Sequence, residues 1–286
     1  MTTTPLPPLI KWSGSKRSVA PLLARTLPQG GTYFEPFLGG GSVLGTQAHR
    51  RAVVGETIGE LIDIWNAVKN DPDHAAKEYS ARWSRLQGEG HTAYYDVRAS
   101  FNESRNPHDL LFLSRTCVNG LIRFNKAGDF NNSLHHTRKG INPARFESII
   151  KRWSDVVQGA NFVHADFEET LSKARPGDVA FLDPPYVGTR GRYLPTDFDY
   201  PRFWQCLERL NGAGVRWILT LDGSAGERQY ESETVPADIY VRRFALATGS
   251  SPFSRVMEGR VDHVRESVFM NFDGDTETAY MDKDEF

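Results

Sequence analysis

Asp183-Pro184-Pro185-Tyr186 follows the apolar run Val179-Ala180-Phe181-Leu182, and these residue types in this order suit one kind of chemistry. The exocyclic amino nitrogen of adenine or cytosine is a poor nucleophile, because its lone pair is delocalised into the ring. A carboxylate and a nearby peptide carbonyl can each accept one of its two hydrogens and draw the nitrogen toward tetrahedral geometry. Asp183 supplies the first acceptor and the Pro184 carbonyl the second, and neither proline nitrogen carries a hydrogen that would compete. Tyr186 would stack on the base, since extruded bases are held by aromatic stacking together with hydrogen bonds to the base edge. The four residues suggest a site that methylates an amino group. The plainer alternative is a strand running into a proline-rich turn capped by an aromatic.

A second block, residues 33–43, reads Tyr-Phe-Glu-Pro-Phe-Leu-Gly-Gly-Gly-Ser-Val: a short aromatic strand, a glycine turn and the start of a helix of small residues. Glycines let a backbone approach a ligand where a Cβ would collide, and they accept positive φ. Glu56 stands after the apolar pair Val53-Val54, where an acid at the end of a second strand can bind both hydroxyls of a ribose. A solvated charge at a strand end is the alternative for Glu56. The turn lacks the Lys-Ser or Lys-Thr of a triphosphate cradle, which points away from a nucleoside triphosphate.

The third block lies near the start, where Lys11-Trp12-Ser13-Gly14-Ser15-Lys16 interleaves cations, an indole and small residues. With the three blocks in this order, the chain resembles the D12 class of DNA N6-adenine methyltransferases, the group that includes the Dam enzymes. The resemblance covers roughly residues 9–200, with a weaker continuation to about 272. It implies an α/β fold, the Rossmann-like S-adenosylmethionine-dependent methyltransferase fold, with an inserted, mainly helical DNA-recognition domain carrying a β-hairpin. The catalytic, cofactor-binding domain would comprise residues 9–60 and 155–272, the insertion 61–154, and an acidic tail 273–286.

The same resemblance implies roles. S-adenosylmethionine would lie across the turn of Gly39 and Gly41, touched by Trp12 and Phe37, with Glu56 on its ribose and Asp166 near its adenine edge. Lys16 would orient the amino-acid end of the cofactor or the loop of Asp183, which itself borders the cofactor. Asp183, Pro184, Pro185 and Tyr186 would hold the flipped base. Residues 119–131, Asn-Gly-Leu-Ile-Arg-Phe-Asn-Lys-Ala-Gly-Asp-Phe-Asn, match the recognition hairpin of the class, placing Asn119, Leu121 and Arg123 against bases. Arg123 suits a bidentate contact to guanine, with phosphate contact as the alternative. Lys11, Asn125, Lys126, Arg138 and Lys139 complete the expected DNA surface. Where Dam proteins continue Val-Pro-Phe-Gly, this chain has Asn132-Ser133-Leu134-His135, a departure that weighs against a GATC target.

Charge distribution agrees with a nucleic-acid partner, although the net charge is only −2. Between Arg115 and Arg152 stand eight Lys or Arg against two acids, whereas residues 273–286 carry six acids and one Lys, so the tail masks the basic stretch in the total. A solvated helical face is the alternative for that stretch. Cys117 and Cys206 are too few and too far apart for a disulfide framework or a zinc site. No secretory leader and no run of 18 apolar residues is visible, so the cytoplasm is the expected compartment and double-stranded DNA the expected partner. A cognate restriction endonuclease acting on the same site fits as well. The sequence leaves the oligomeric state open.

Stepping along the chain, the elements needed to position these blocks are strands near 32–35, 52–56, 161–166, 179–182, 216–221 and 267–271. Helices are expected over 16–26, after the glycine turn, over 60–69 and through most of 73–116. Tyr79, Trp83, Leu86, Tyr94, Val97 and Phe101 repeat at helical spacing there, and Trp217 sits in a strand, so all of these are expected in the core. Other amino-methylating classes remain open: N4-cytosine or RNA methylation uses the same pocket chemistry. A catalytically idle DNA-binding module would keep the fold. Cytosine C5 chemistry does not fit, since it needs a Cys nucleophile directly after a Pro, and Thr116 precedes Cys117 while Gln205 precedes Cys206.

Overall fold

A computed structural model of the chain describes residues 5–12, 14–185, 198–225, 228–229, 235–250 and 263–274. Tyr186 and the acidic stretch 275–286 lie outside these residues.

The central sheet runs in the order β3-β2-β1-β4-β5-β8-β7, built from β1 (Tyr33–Glu35), β2 (Ala52–Glu56), β3 (Ala160–His164), β4 (Val179–Leu182), β5 (Arg216–Ala225), β7 (Arg242–Ser250) and β8 (His263–Met270). The short β6 (Arg228–Gln229) pairs with β5. The first five strands of that order are mutually parallel, while β8 runs antiparallel to both β5 and β7. Chain order moves outward from β1 to β2 and β3 on one side and from β4 to β5 on the other. The crevice between β1 and β4 is thus the switch point, where ligands of open parallel sheets bind at the carboxyl ends of strands.

Pleating sends alternate residues to opposite faces, and the two faces bury two separate apolar clusters. Tyr33, Val179, Phe181 and Ile218 point to one, and Phe34, Ala180, Leu182, Trp217 and Leu219 to the other. All four residues of β4 are buried, as a central parallel strand covered on both faces requires.

The first face is covered by α1 (Ala20–Thr26), α2 (Gly59–Asn70) and the helical block α3 (Pro72–Glu89), α4 (His91–Ser104), α5 (Pro107–Thr116) and α6 (Pro143–Val156). Local chemistry sets their starts. Asp71 accepts from the His74 amide with Pro72 at the head of α3, and Asn142 accepts from the Ala144 and Arg145 amides with Pro143 at the head of α6. Phe146, Ile149, Ile150 and Trp153 then form a buried stripe along α6. Buried residues of α3 to α6 belong to the same cluster as β1 and β2, so the block between β2 and β3 shares the core of the sheet. The second face is covered by α7 (Phe167–Leu171) and α8 (Tyr200–Gly212), whose Phe203, Trp204, Leu207 and Leu210 face inward.

Three expectations need correction. The segment expected as one helix over 16–26 is a 3-10 turn, Lys16–Ser18, followed by α1. No α-helix follows the glycine turn: the chain makes only a 3-10 turn, Leu44–Thr46, because Gly45 lies tight against Trp153 and β2 begins soon after. A Cβ at Gly45 would come 2.7 Å from the Trp153 ring. The expected β-hairpin after α5 is an irregular loop with isolated antiparallel bridges, Cys117 to Leu134 and Phe124 to Phe130. Asn119 sits at φ 57°, which interrupts a regular ladder; backbone amides of Asn125, Asn131, Val118 and His135 still donate across to the carbonyls of Asp129, Arg123, Ser133 and Thr116, and side chains add to that pairing. Asn102 accepts from the Phe130 amide and donates to its carbonyl, while buried Asn132 donates to the Val118 and Leu121 carbonyls.

Tyr79, Leu86, Tyr94, Val97, Phe101 and Trp217 are buried as expected, Trp83 is partly so, and both cysteines are buried free thiols. Among the described residues, no helix is long and apolar enough to cross a membrane.

Candidate active site

The turn after β1 is shaped by its glycines. Gly39 has φ 48° and Gly41 φ 65°, a region that side chains rarely tolerate. A Cβ on Gly39 would come 2.5 Å from Trp12 Nε1, and one on Gly41 would come 2.9 Å from the Trp65 ring. Trp12 therefore lies against the turn, and the Ser15 and Ser42 hydroxyls, 2.7 Å apart, tie the segment of Trp12 and Lys16 to it.

Glu56, at the end of β2, is buried and reaches back to the same turn. Its Oε2 accepts from the Gly39 amide at 3.1 Å, while Oε1 accepts from the amides of Thr57 and Ile58. Burial raises its pKa above the ordinary glutamate value, and those amides oppose the rise. Phe37 packs among Phe167, Phe198 and Phe203 beside the turn. Asp166 caps α7 by accepting from the Glu169 amide, and its other oxygen meets Arg202 at 2.6 Å. Partial burial would raise its pKa, but the amides and Arg202 outweigh that and hold it low.

Asp183 leaves the end of β4 next to this turn. Its Oδ1 receives Lys16 Nζ at 2.8 Å and the Thr220 hydroxyl at 2.9 Å. Lys16 is 4% exposed and also lies 3.4 Å from Oε1 of Glu266 on β8. Burial alone would lower the Lys16 pKa, but the two carboxylates outweigh it and hold the ammonium above the ordinary lysine value. Pro184 is buried, and the Tyr200 hydroxyl donates to the Pro185 carbonyl at 2.9 Å, fixing the exit of the motif.

Beneath the turn, the Tyr33 hydroxyl donates to Glu35 Oε2 at 2.7 Å. Glu35 is 2% exposed, and burial pushes its carboxyl up to about 8.

On the side of the helical block, Lys11 lies over Gly120, where a Cβ would come 2.3 Å from Lys11 Cδ. Burial lowers the Lys11 pKa, and the nearby charges of Arg115 and Arg138 lower it further. A convergence of cations of this kind suits an anion. Asn119, Arg123, Asn125, Lys126, Arg138 and Lys139 are exposed and Leu121 half-buried, all on this loop. Arg123 Nε donates to Asn131 Oδ1 at 2.8 Å, and Asn125 Oδ1 accepts from the amides of Ala127 and Asp129, closing the tip.

The fold thus gathers Trp12, Lys16, Phe37, Gly39, Gly41, Glu56 and Asp183 around the switch point. The residues of the expected DNA surface other than Lys11 are grouped on the separate loop, which Lys11 touches. Thr220, Glu266, Tyr200 and Glu35 carry no motif signal strong enough to single them out; the acid in Tyr-Phe-Glu-Pro, between buried aromatics, is the one hint the sequence offers.

A bare glycine turn after β1 and an acid at the end of β2 are fit for a nucleoside, and a half-buried, cation-held carboxylate follows β4; among α/β folds with one antiparallel strand at this place, that division of labour belongs to S-adenosylmethionine-dependent methyltransferases. The D12 class N6 adenine-specific DNA methyltransferase family matches residues 12–220, and the chain belongs to that family. S-adenosylmethionine is the methyl donor of the class. The retron Ec67 DNA adenine methylase of Escherichia coli is 31% identical over 196 residues, 66% of this chain and 67% of that protein. The DNA adenine methylase of Vibrio cholerae serotype O1 is 32% identical over 185 residues, 62% of this chain and 64% of that protein. The type II methyltransferase M1.LlaDCHI of Lactococcus lactis subsp. cremoris is 27% identical over 239 residues, 77% of this chain and 82% of that protein. The chain thus spans about two thirds of the length of the first two relatives.

Proposed function

We propose that this protein transfers a methyl group from S-adenosylmethionine to N6 of an adenine flipped out of double-stranded DNA, at a specific site. The observation that carries this reading is the place of Asp183: at the end of the central strand, beside the glycine turn, with Oδ1 already held by Lys16 and Thr220.

The site fits the cofactor in its own chemistry. Gly39 and Gly41 keep the turn bare, and Glu56 offers a buried acid bonded to that turn for ribose hydroxyls. Trp12 and Phe37 would line the cofactor, with Asp166 further along at the head of α7. When bound, S-adenosylmethionine supplies an electrophilic methyl group. Asp183 and the Pro184 carbonyl would each accept one hydrogen of the target amino group, fixing its position and restoring electron density to its nitrogen. Tyr186, adjoining Pro185 in sequence, is the residue suited to stack on the base. Lys11, Asn125, Lys126, Arg138 and Lys139 would hold the DNA, with Asn119, Leu121 and Arg123 toward the bases, and residues 61–154 would act as the target-recognition unit. The departure at Asn132-Ser133-Leu134-His135 weighs against a GATC target on this reading, and the enzyme acts either alone or beside a restriction endonuclease cutting the same sequence.

The test is incubation of the purified protein with tritiated S-adenosylmethionine and unmethylated plasmid DNA, followed by digestion to nucleosides. Label is expected in N6-methyl-deoxyadenosine; label in N4-methyl-deoxycytidine, or none in DNA, overturns the reading. Asp183→Ala should abolish incorporation while its circular dichroism matches the parent, and near-normal activity in that variant would remove Asp183 from the chemistry.

A further inference from the structure

We infer that Glu266, on β8, is a positioning residue for Asp183 and acts on it through Lys16. The inference rests on the methyl-transfer reading above and adds to it a residue from the part of the chain beyond the family match, which ends at residue 220.

Glu266 stands on an internal strand of the sheet, opposite Leu246 of β7 and Asp222 of β5, and is 8% exposed. An acid in such a place costs desolvation energy that a neutral residue would not, so it needs a charged partner. Lys16 is one such partner: its ammonium stands 3.4 Å from Glu266 Oε1 and 2.8 Å from Asp183 Oδ1. One cation thus serves two carboxylates. Had Lys16 met Asp183 alone, the pair would be neutral and Asp183 a weaker acceptor for amino hydrogens. Sharing the cation with Glu266 offsets less of the Asp183 charge and keeps Asp183 a strong acceptor while still oriented. The 3-10 turn Lys16–Ser18 lies beside the sheet end that carries β7 and β8, so the lysine reaches both acids from one short segment.

The experiment measures single-turnover methyl transfer to unmethylated plasmid DNA, together with the dissociation constants of S-adenosylmethionine and DNA. Glu266→Gln keeps shape and removes charge; it should slow the transfer step by about tenfold while both affinities stay within about twofold of the parent. Glu266→Met should be slowed to a similar degree whatever its melting temperature, and Glu266→Asp, which keeps the charge at shorter reach, should retain more activity than either. A purely structural role predicts instead that activity follows melting temperature, and that result overturns the inference. Transfer by Glu266→Gln at the parental rate overturns it as well, with the methyl-transfer reading intact. A parent protein that labels no DNA overturns both.

Discussion

Lys16 Nζ lies 2.8 Å from Asp183 Oδ1, joining the first block of the chain to the third across the sheet. The two residues are far apart in sequence, and neither element would place its side chain without the other. The 3-10 turn of Lys16 is pinned to the glycine turn through Ser15 and Ser42, and Asp183 is pinned to β5 through Thr220. The three blocks are therefore parts of one constellation, in which the glycine turn and Asp183 are held in fixed relation by a buried cation.

Lys16→Met should be costly in two ways. Removing one partner of a buried ion pair leaves uncompensated charge, an effect of about 3–5 kcal/mol, and here two carboxylates would face each other without their cation. Urea denaturation should show the midpoint falling by that equivalent, and methyl incorporation should drop below detection even at temperatures where the variant is folded. A variant with parental stability would show that the pair contributes nothing net.

Glu35 makes stability depend on pH in an unusual direction for an acid. Its carboxyl is pushed up to about 8 by burial first and by the charge of Asp183, with the hydrogen bonds from Tyr33 and the Leu44 amide acting against the shift. Between the ordinary value of 4.5 and that raised value, the folded protein binds more protons than the unfolded chain. Stability is then greatest on the acid side and declines as pH rises through the window, by roughly 5 kcal/mol at most. Glu35→Gln should flatten the pH dependence of the urea midpoint between about pH 5 and about pH 9. Parallel slopes in parent and variant would remove Glu35 as the cause.

How far the fold was legible depended on whether local pattern and tertiary setting agreed. The run of residues 179–182 matches β4 at both ends, because a central parallel strand must be apolar on both faces and the sequence shows it. The helices of residues 72–116 were equally plain from their spacing of aromatics. Glu266 was hidden because an acid and a serine just before the apolar run of residues 268–270 look like a strand boundary, and only pairing with β5 and β7 carries the strand back to His263. Small residues after Gly41 suggest a helix, yet close packing of Gly45 on Trp153 leaves only a 3-10 turn. The loop after α5 has the alternation of a hairpin and pairs its arms at scattered backbone bonds, but part of its order comes from Asn102 and Asn132, whose roles depend on contacts that spacing does not reveal.

Gly39→Ala tests the cofactor turn. Its φ of 48° is strained for alanine by roughly 1–2 kcal/mol, and the new methyl group would sit 2.5 Å from Trp12 Nε1 unless the indole moved. The indole and the Glu56 hydrogen bond to the Gly39 amide should shift together. Equilibrium dialysis should show S-adenosylmethionine affinity reduced by at least about tenfold, whereas DNA affinity, which the proposed function assigns to the loop after α5, should hardly change. Equal losses in both would mean that the variant is globally disturbed.

On the proposed function, Arg123 distinguishes a loop after α5 that reads bases from one that only grips the backbone. Its Nε donates to Asn131, which fixes the guanidinium and leaves the two terminal nitrogens as the pair that a bidentate contact to guanine uses. A base contact of this kind contributes about 1–3 kcal/mol of discrimination at one position and little to the salt dependence of binding. A phosphate contact weakens all sequences alike and lowers the salt slope by about one unit. For Arg123→Ala, methylated-site sequencing should show preference relaxed at a single position of the target, while the slope of affinity against salt stays at the parental value. Uniform weakening with a reduced slope would instead assign Arg123 to the backbone, and Asn119 and Leu121 would then carry the direct contacts.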